Sequence, residues 1–185
     1  MRRLLSPLAV TGLLLAGCGA EEAPTPRPSP EAGDERRNEV RGPGFTTEKP
    51  RGFTGSGDGG QGGGVVLTLL GPFRASERFP PNITVARTAA PASSSAEQVR
   101  GSIRTQSEAQ GGKGVDALPD REIDGEAAIG VTYSRSGPGA ELTQRTYAVV
   151  HGRQLYTIAS TTALKSAVDG EKVLETVLDT WRWAR

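Results

Sequence analysis

Apolar and polar residues alternate over residues 82–87, where Ile83 and Val85 stand between polar neighbours, the period of a half-buried strand. A β-branched run at residues 65–70 and a short stretch at Phe45-Thr46-Thr47, stopped by Pro50, have the same strand character. Further along, residues 115–118 and 122–123 lead into Asp124-Gly125, a favoured tight-hairpin pair, and residues 127–133 return as a strand. Ser136-Gly137-Pro138-Gly139 forms a second turn, residues 142–150 the next strand, His151-Gly152 a third turn, and residues 154–161 the last strand. Two stretches carry the helical period instead. Ser94-x-x-Glu97 matches a capping box opening a helix to about Gln110, with Ala96, Val99 and Ile103 on a narrow apolar side and Gly111-Gly112 ending it. Asp169 can cap a second helix running to about Trp183, where Val173, Leu174, Val177, Leu178 and Trp181 make an i, i+3, i+4 stripe. Strands joined by hairpins imply an antiparallel sheet, and an apolar helix stripe needs a sheet face to cover. The expected class is α+β: an antiparallel sheet of about six strands packed with helices.

The chain in front of that region has another pattern. Arg2 and Arg3 precede a short apolar run, and Ala16 and Gly17 lead into Cys18, the three parts of a secretory leader. The run is shorter than the roughly 20 apolar residues a spanning helix needs. Leu15-Ala16-Gly17-Cys18 resembles the bacterial lipobox, in which the cysteine thiol takes a diacylglyceryl group and becomes the new N-terminus. Cys18 is the sole cysteine, so it has no disulfide partner within the chain. Several acyl chains on one residue supply the combined signals that stable membrane attachment requires. From Gly19 to about Gly44, proline, glycine and charges of both signs dominate, a composition too poor in apolar surface to offset the entropy of ordering. The expected organisation is a signal peptide over 1–17, a lipidated cysteine and flexible linker over 18–44, and one domain over 45–185. The expected place is the extracytoplasmic face of the cell membrane, with the membrane itself as partner through lipid on Cys18.

Charge changes little in this picture. The formal net charge is +1, and loss of Arg2 and Arg3 with the leader takes it to −1. With no basic stripe and an exported address, nucleic acid is not an expected partner.

The order of motifs carries a resemblance. Phe79-Pro80-Pro81-Asn82-Ile83-Thr84-Val85 resembles the "PN(V/I)xV" strand of LpqN-type actinobacterial lipoproteins. The likeness continues through a middle helix, Ile123-Asp124-Gly125-Glu126-Ala127, the stretch QRTYAVVHGRQLYTI at 144–158, and a terminal helix. It departs at Pro50-Arg51-Gly52-Phe53, where the family commonly has a Pro-x-Gly-Trp-like turn. The resemblance implies the Mog1/PsbP-like fold, an antiparallel sheet between helices, and service as an assembly factor or interaction module. It also implies an envelope protein or envelope lipid as partner.

Candidate chemistry is sparse. Gly55-Ser56-Gly57-Asp58-Gly59-Gly60 formally matches GxGxxG, but a strand follows it where a dinucleotide site needs a helix, so a surface loop is expected and no cofactor. There is no G-x-S-x-G elbow. His151, the sole histidine, reads as an exposed polar residue of a hairpin tip, and one imidazole without a spare thiolate cannot fill a zinc site. Asp120, Glu122, Asp124 and Glu126 fall on alternate residues, an arrangement that could offer oxygens to calcium from one strand face, but Asp124-Gly125 as a turn breaks that face. Trp181 and Trp183 offer either helix-to-sheet packing or, for Trp183, an interface anchor. No catalytic, cofactor-binding or metal-binding residue is expected, and Cys18 is the one site residue, for lipid. The expected function is a non-catalytic, membrane-anchored binding or accessory module of the cell envelope. Its alternatives are an envelope hydrolase using carboxylates alone, with Glu122 and Asp124 as its pair, and a structural lipoprotein without a ligand.

Overall fold

The computed structural model describes residues 38–56, 64–73, 78–90, 95–166 and 168–184. Cys18, Ser94 and residues 57–63 of the glycine-rich stretch lie outside the described residues. The elements are β1 (Glu39–Gly42), β2 (Phe45–Glu48), β3 (Thr54–Ser56), β4 (Val65–Leu70), β5 (Asn82–Ala89), α1 (Ala96–Ala109), β6 (Lys113–Ile123), β7 (Glu126–Gly137), β8 (Ala140–His151), β9 (Gln154–Ala163), α2 (Gly170–Asp179) and β10 (Arg182–Trp183). A seven-stranded sheet has the order β3-β4-β5-β9-β8-β7-β6, every pairing antiparallel, and β1-β2-β10 form a smaller three-stranded sheet.

Hairpin chemistry sets the long strands. Asp124 (φ 46°) and Gly125 (φ 84°) are both left-handed, the paired conformation that a two-residue turn between twisted strands demands. The turn between β8 and β9 is Gly152-Arg153 (φ 54° and 63°), one residue beyond the expected His151-Gly152. His151 is therefore the last strand residue, facing Gln154 across the ladder. Pro50-Arg51-Gly52-Phe53 closes with Phe53 N donating to Pro50 O (3.0 Å), and Gly52 takes the φ of 83° that such a turn needs at its third residue.

Helices cover both faces of the main sheet. α1 starts at Ser95, whose hydroxyl accepts from Gln98 N (3.2 Å) while Gln98 Oε1 accepts from Ser95 N (2.8 Å). The capping box thus lies one residue beyond the expected Ser94–Glu97 pair, and Glu97 becomes a first-turn acid beside the positive helix end. Val99 and Ile103 pack with Ile129, Val131, Tyr133 and Ala148. On the opposite face Leu174, Val177 and Leu178 of α2 join Ile158, Val149, Tyr156 and Phe45. A central strand buried on both faces loses the simple alternation, and Ala128, Ile129, Gly130 and Val131 of β7 are buried consecutively.

Two boundaries differ from the sequence reading. The stretch expected to be linker up to residue 44 contains β1, whose Val40 is buried in the core. The second helix ends at Asp179, not near Trp183, because Arg182 and Trp183 pair with Thr46 and Phe45 of β2. Hydroxyls take over the helix's last carbonyls: Thr47 Oγ1 donates to Val177 O (2.7 Å) and Thr180 Oγ1 to Thr176 O (2.7 Å). Trp181, freed from the helix, lies fully buried and stacked on Phe45 at 3.9 Å.

Candidate functional site

Edge strand β6 shapes a cleft beneath α2. Its register slips between Leu118 and Arg121, a bulge holding Pro119, which an edge strand tolerates because no ladder N–H is needed there. The Pro119 carbonyl accepts the Tyr147 hydroxyl of β8 (3.1 Å), and the Arg121 guanidinium lies over the Tyr147 ring at 5.8 Å. Leu118, Leu174 and Leu178 supply apolar walls, and the cleft encloses about 240 Å³. Arg121 pairs with Asp179, and Arg145 with Glu171 at 3.6 Å. Glu175 and Asp120 complete the rim, Asp120 being held by Arg100. Arg121 Nε is buried without an acceptor among the described residues. A buried donor left this way costs about 1–3 kcal/mol, a cost that a ligand acceptor would offset.

The cleft can hold a ligand but offers little with which to transform one. Both arginines are already compensated by carboxylates, and the Tyr147 hydroxyl is engaged by a carbonyl. Burial pushes the phenols of Tyr133 and Tyr147 above their ordinary value. At Tyr147 the nearby Arg121 opposes that rise while Glu171, Glu175 and Asp120 add to it. The folded state therefore keeps phenolic protons that the unfolded chain sheds near pH 10. The stability from this source is complete below that pH and falls as pH rises through the folded values. Melting temperatures of the mature chain are expected to decline above about pH 10, and Tyr133→Phe and Tyr147→Phe each to remove part of the slope. Equal slopes in wild type and both variants would assign the alkaline loss to other groups.

The acidic residues singled out in the sequence go to separate partners. Glu126 Oε1 lies 3.0 Å from His151 Nδ1, and Asp124 Oδ2 accepts the backbone N–H of Trp183 at 2.8 Å. Glu122 is exposed on β6, and neither it nor Asp124 lines the cleft beneath α2. Among the described residues no group of three or more His, Cys, Asp or Glu is arranged to hold a metal ion.

His151 is not the exposed tip residue expected. It is half-buried and stacks on Trp183 with ring centres 4.2 Å apart and planes 4° from parallel. The Trp183 indole N–H donates to Ile123 O (3.3 Å), so this side chain packs against the hairpin end and is not a free anchor. Arg121, Arg145 and Tyr147, which line the cleft, were not distinguished in the sequence. The signal present was the i, i+2 spacing of Arg145 and Tyr147, which puts both on one face of β8.

No family model matches the chain, and no curated protein does. Solved structures do match. LpqN of Mycobacterium tuberculosis, described as involved in cell envelope biogenesis, superposes with a TM-score of 0.58 at 12% identity, over 82% of this chain and 95% of that one. The cyanobacterial PsbP protein CyanoP of Synechocystis gives 0.54 at 17% identity, over 92% and 99%. A Mog1 variant gives 0.54 at 11% identity, over 78% and 96%. At these identities the likeness is one of architecture, and the chain has the PsbP/Mog1-like α+β fold.

Proposed function

We propose that this chain is an extracytoplasmic lipoprotein, held to the cell membrane by lipid on Cys18, that serves as a non-catalytic binding or accessory module of the cell envelope. The observation that carries the binding role is the cleft beneath α2, where apolar walls meet two arginines already neutralised by Asp179 and Glu171. Such a site suits an amphiphilic envelope component or a segment of an envelope protein, recognised by its apolar part and by an acceptor for Arg121. The anchor rests on Leu15-Ala16-Gly17-Cys18 at the end of a leader. LpqN, with the same architecture, is described as an envelope-biogenesis protein, which supports the same setting. No helix of the described residues is long and apolar enough to cross a membrane. Nothing in the placement of Glu122 and Asp124 favours a carboxylate hydrolase.

The anchor is tested by Cys18→Ser in the producing cell. Wild type is expected in the membrane fraction, with an intact mass showing cleavage before Cys18 and an added diacylglyceryl group. The variant is expected to lose the lipid mass and leave the membrane. Equal membrane retention of both proteins, with no lipid mass on the wild type, would sink the anchor. The binding role is tested by native mass spectrometry of wild type and Arg121→Ala, where a co-purifying molecule lost in the variant is the supporting result. A protein that carries nothing and recovers no partner from its own membranes would overturn it.

A further inference from the structure

Three large apolar side chains stand exposed among the described residues: Leu70 (47% exposed), Phe73 (64%) and Leu164 (64%). The ladder puts Leu70 and Leu164 at one end of the sheet, and Phe73 follows Leu70 by three residues, past Gly71, whose position lies against Pro81 and Phe53. Leu70 faces Asn82, Asn82 faces Thr161, and Leu164 follows Ala163 at the end of β9. This is the end opposite the Asp124-Gly125 and Gly152-Arg153 turns. Cations accompany them. Leu164, Lys165 and Arg78 border one cleft, and the turn carrying Arg51 lies against Pro72, the residue before Phe73. Arg51, Arg78 and Lys165 have no carboxylate within ion-pair distance among the described residues. Glu141 also borders the cleft, but its carboxylate accepts from Ser136 Oγ at 2.8 Å. The chain enters the fold beside the segment that leads to this turn, where Asn38 O accepts from Lys49 N (2.7 Å), one residue before Pro50.

We propose that this end of the sheet rests on the bilayer, with Phe73, Leu70 and Leu164 entering the headgroup region and Arg51, Arg78 and Lys165 meeting anionic phospholipid. The proposal rests on the reading of Cys18 as the lipid anchor, and it adds an orientation to that reading. The argument is one of geometry and charge together. The chain between Cys18 and Asn38 reaches at most about 70 Å when fully drawn out, so an anchored domain stays near the surface. The end that carries the exposed apolar trio and the three uncompensated cations is then the one whose chemistry matches the lipid. Aromatic and aliphatic tips set among cations form the composition that lies in a membrane interface. The surface can be weak on its own, because tethering makes its contact with lipid effectively intramolecular.

Two preparations separate this proposal from the anchor itself. The mature chain carrying Cys18→Ser is mixed with vesicles of phosphatidylglycerol and phosphatidylcholine, and with phosphatidylcholine alone. Sedimentation is expected to show binding to the anionic vesicles that weakens with salt. Phe73→Ser and Leu164→Ser are each expected to lower the partition coefficient by about tenfold, with melting temperatures unchanged. Wild-type lipoprotein in the same anionic vesicles is then compared with Cys18→Ser in solution by hydrogen exchange. Slower exchange at residues 68–73 and 163–166, with the 124–125 and 152–153 turns unaltered, is the supporting pattern. Failure of the Cys18→Ser chain to bind anionic vesicles, together with equal exchange at both ends, overturns the proposal. Protection of the 68–73 and 163–166 segments in native membranes but not in lipid vesicles overturns it in favour of a protein occupant. An unmodified Cys18 overturns the anchor alone, since vesicle binding is read without it.

Discussion

Replacing Trp181 by alanine is expected to lower the free energy of unfolding by about 3–5 kcal/mol, the usual loss for a large aromatic removed from a packed core. The indole is fully buried, stacked on Phe45 at 3.9 Å with planes 11° apart, and meets Tyr156 and Trp183 edge-on at 6.3 and 5.3 Å. These four rings join the small sheet to β9 of the main sheet, and Leu174, Val177 and Leu178 of α2 share their core cluster, so the cavity left by alanine cannot close by moving one element. With total stabilities of about 5–15 kcal/mol for such domains, the variant is expected to unfold at markedly lower urea. The indole Nε1 is buried without an acceptor among the described residues, so Trp181→Phe removes an uncompensated donor along with part of the ring and is expected to cost about 1 kcal/mol. Urea titrations of wild type, Trp181→Ala and Trp181→Phe check this. A loss below about 1 kcal/mol for the alanine variant would mean that the ring stack does not hold these elements together.

The second large effect is expected at Gly42, in the stretch that composition assigns to the linker. A Cβ placed there would lie 2.3 Å from Cε1 and Cζ of Phe45. Phe45 cannot yield, being stacked on Trp181 on one side and edge-on to Tyr156 at 6.0 Å. The Gly42 backbone is outside the left-handed region, so the penalty of Gly42→Ala is overpacking and not backbone strain, about 2–3 kcal/mol. Because both substitutions act through Phe45, they should couple: in a Trp181→Ala background Phe45 gains room, and Gly42→Ala should cost less than it does alone. A double-mutant cycle by urea denaturation measures this. Strict additivity, or a Gly42→Ala variant as stable as wild type, would detach β1 from the ring cluster.

Much of the architecture was legible because its signals are local. Asp124-Gly125 takes left-handed φ at both positions, a property of those residue types in a two-residue turn, and the β6–β7 hairpin follows from it. The apolar stripe of α2 located a helix and its buried face, and Asp169 does cap it, accepting from Glu171 N at 3.1 Å. The α+β class then followed from hairpins plus a helix with one apolar side. The first helix was found within one residue, its box shifted from Ser94–Glu97 to Ser95–Gln98 because the two patterns overlap.

What sequence alone could not place are the features made by pairings between residues far apart in the chain. The apolar period of α2 continues through Trp181, so period alone extends the helix, whereas pairing of Arg182 and Trp183 with Thr46 and Phe45 ends it at Asp179. β1, β3 and β10 have four residues or fewer, too few to display a period of two, and they are strands only because a partner is in register. His151 looked exposed beside a glycine turn and is instead covered by Trp183, a residue of the distant C-terminal strand. The cleft has the same origin: Arg121, Tyr147 and Leu174 meet only when a bulged edge strand, a central strand and the second helix are assembled. Turn and cap preferences act within a few residues and are written into the sequence. Helix ends, edge strands and the shape of the cleft are decided by long-range packing, which local pattern does not encode.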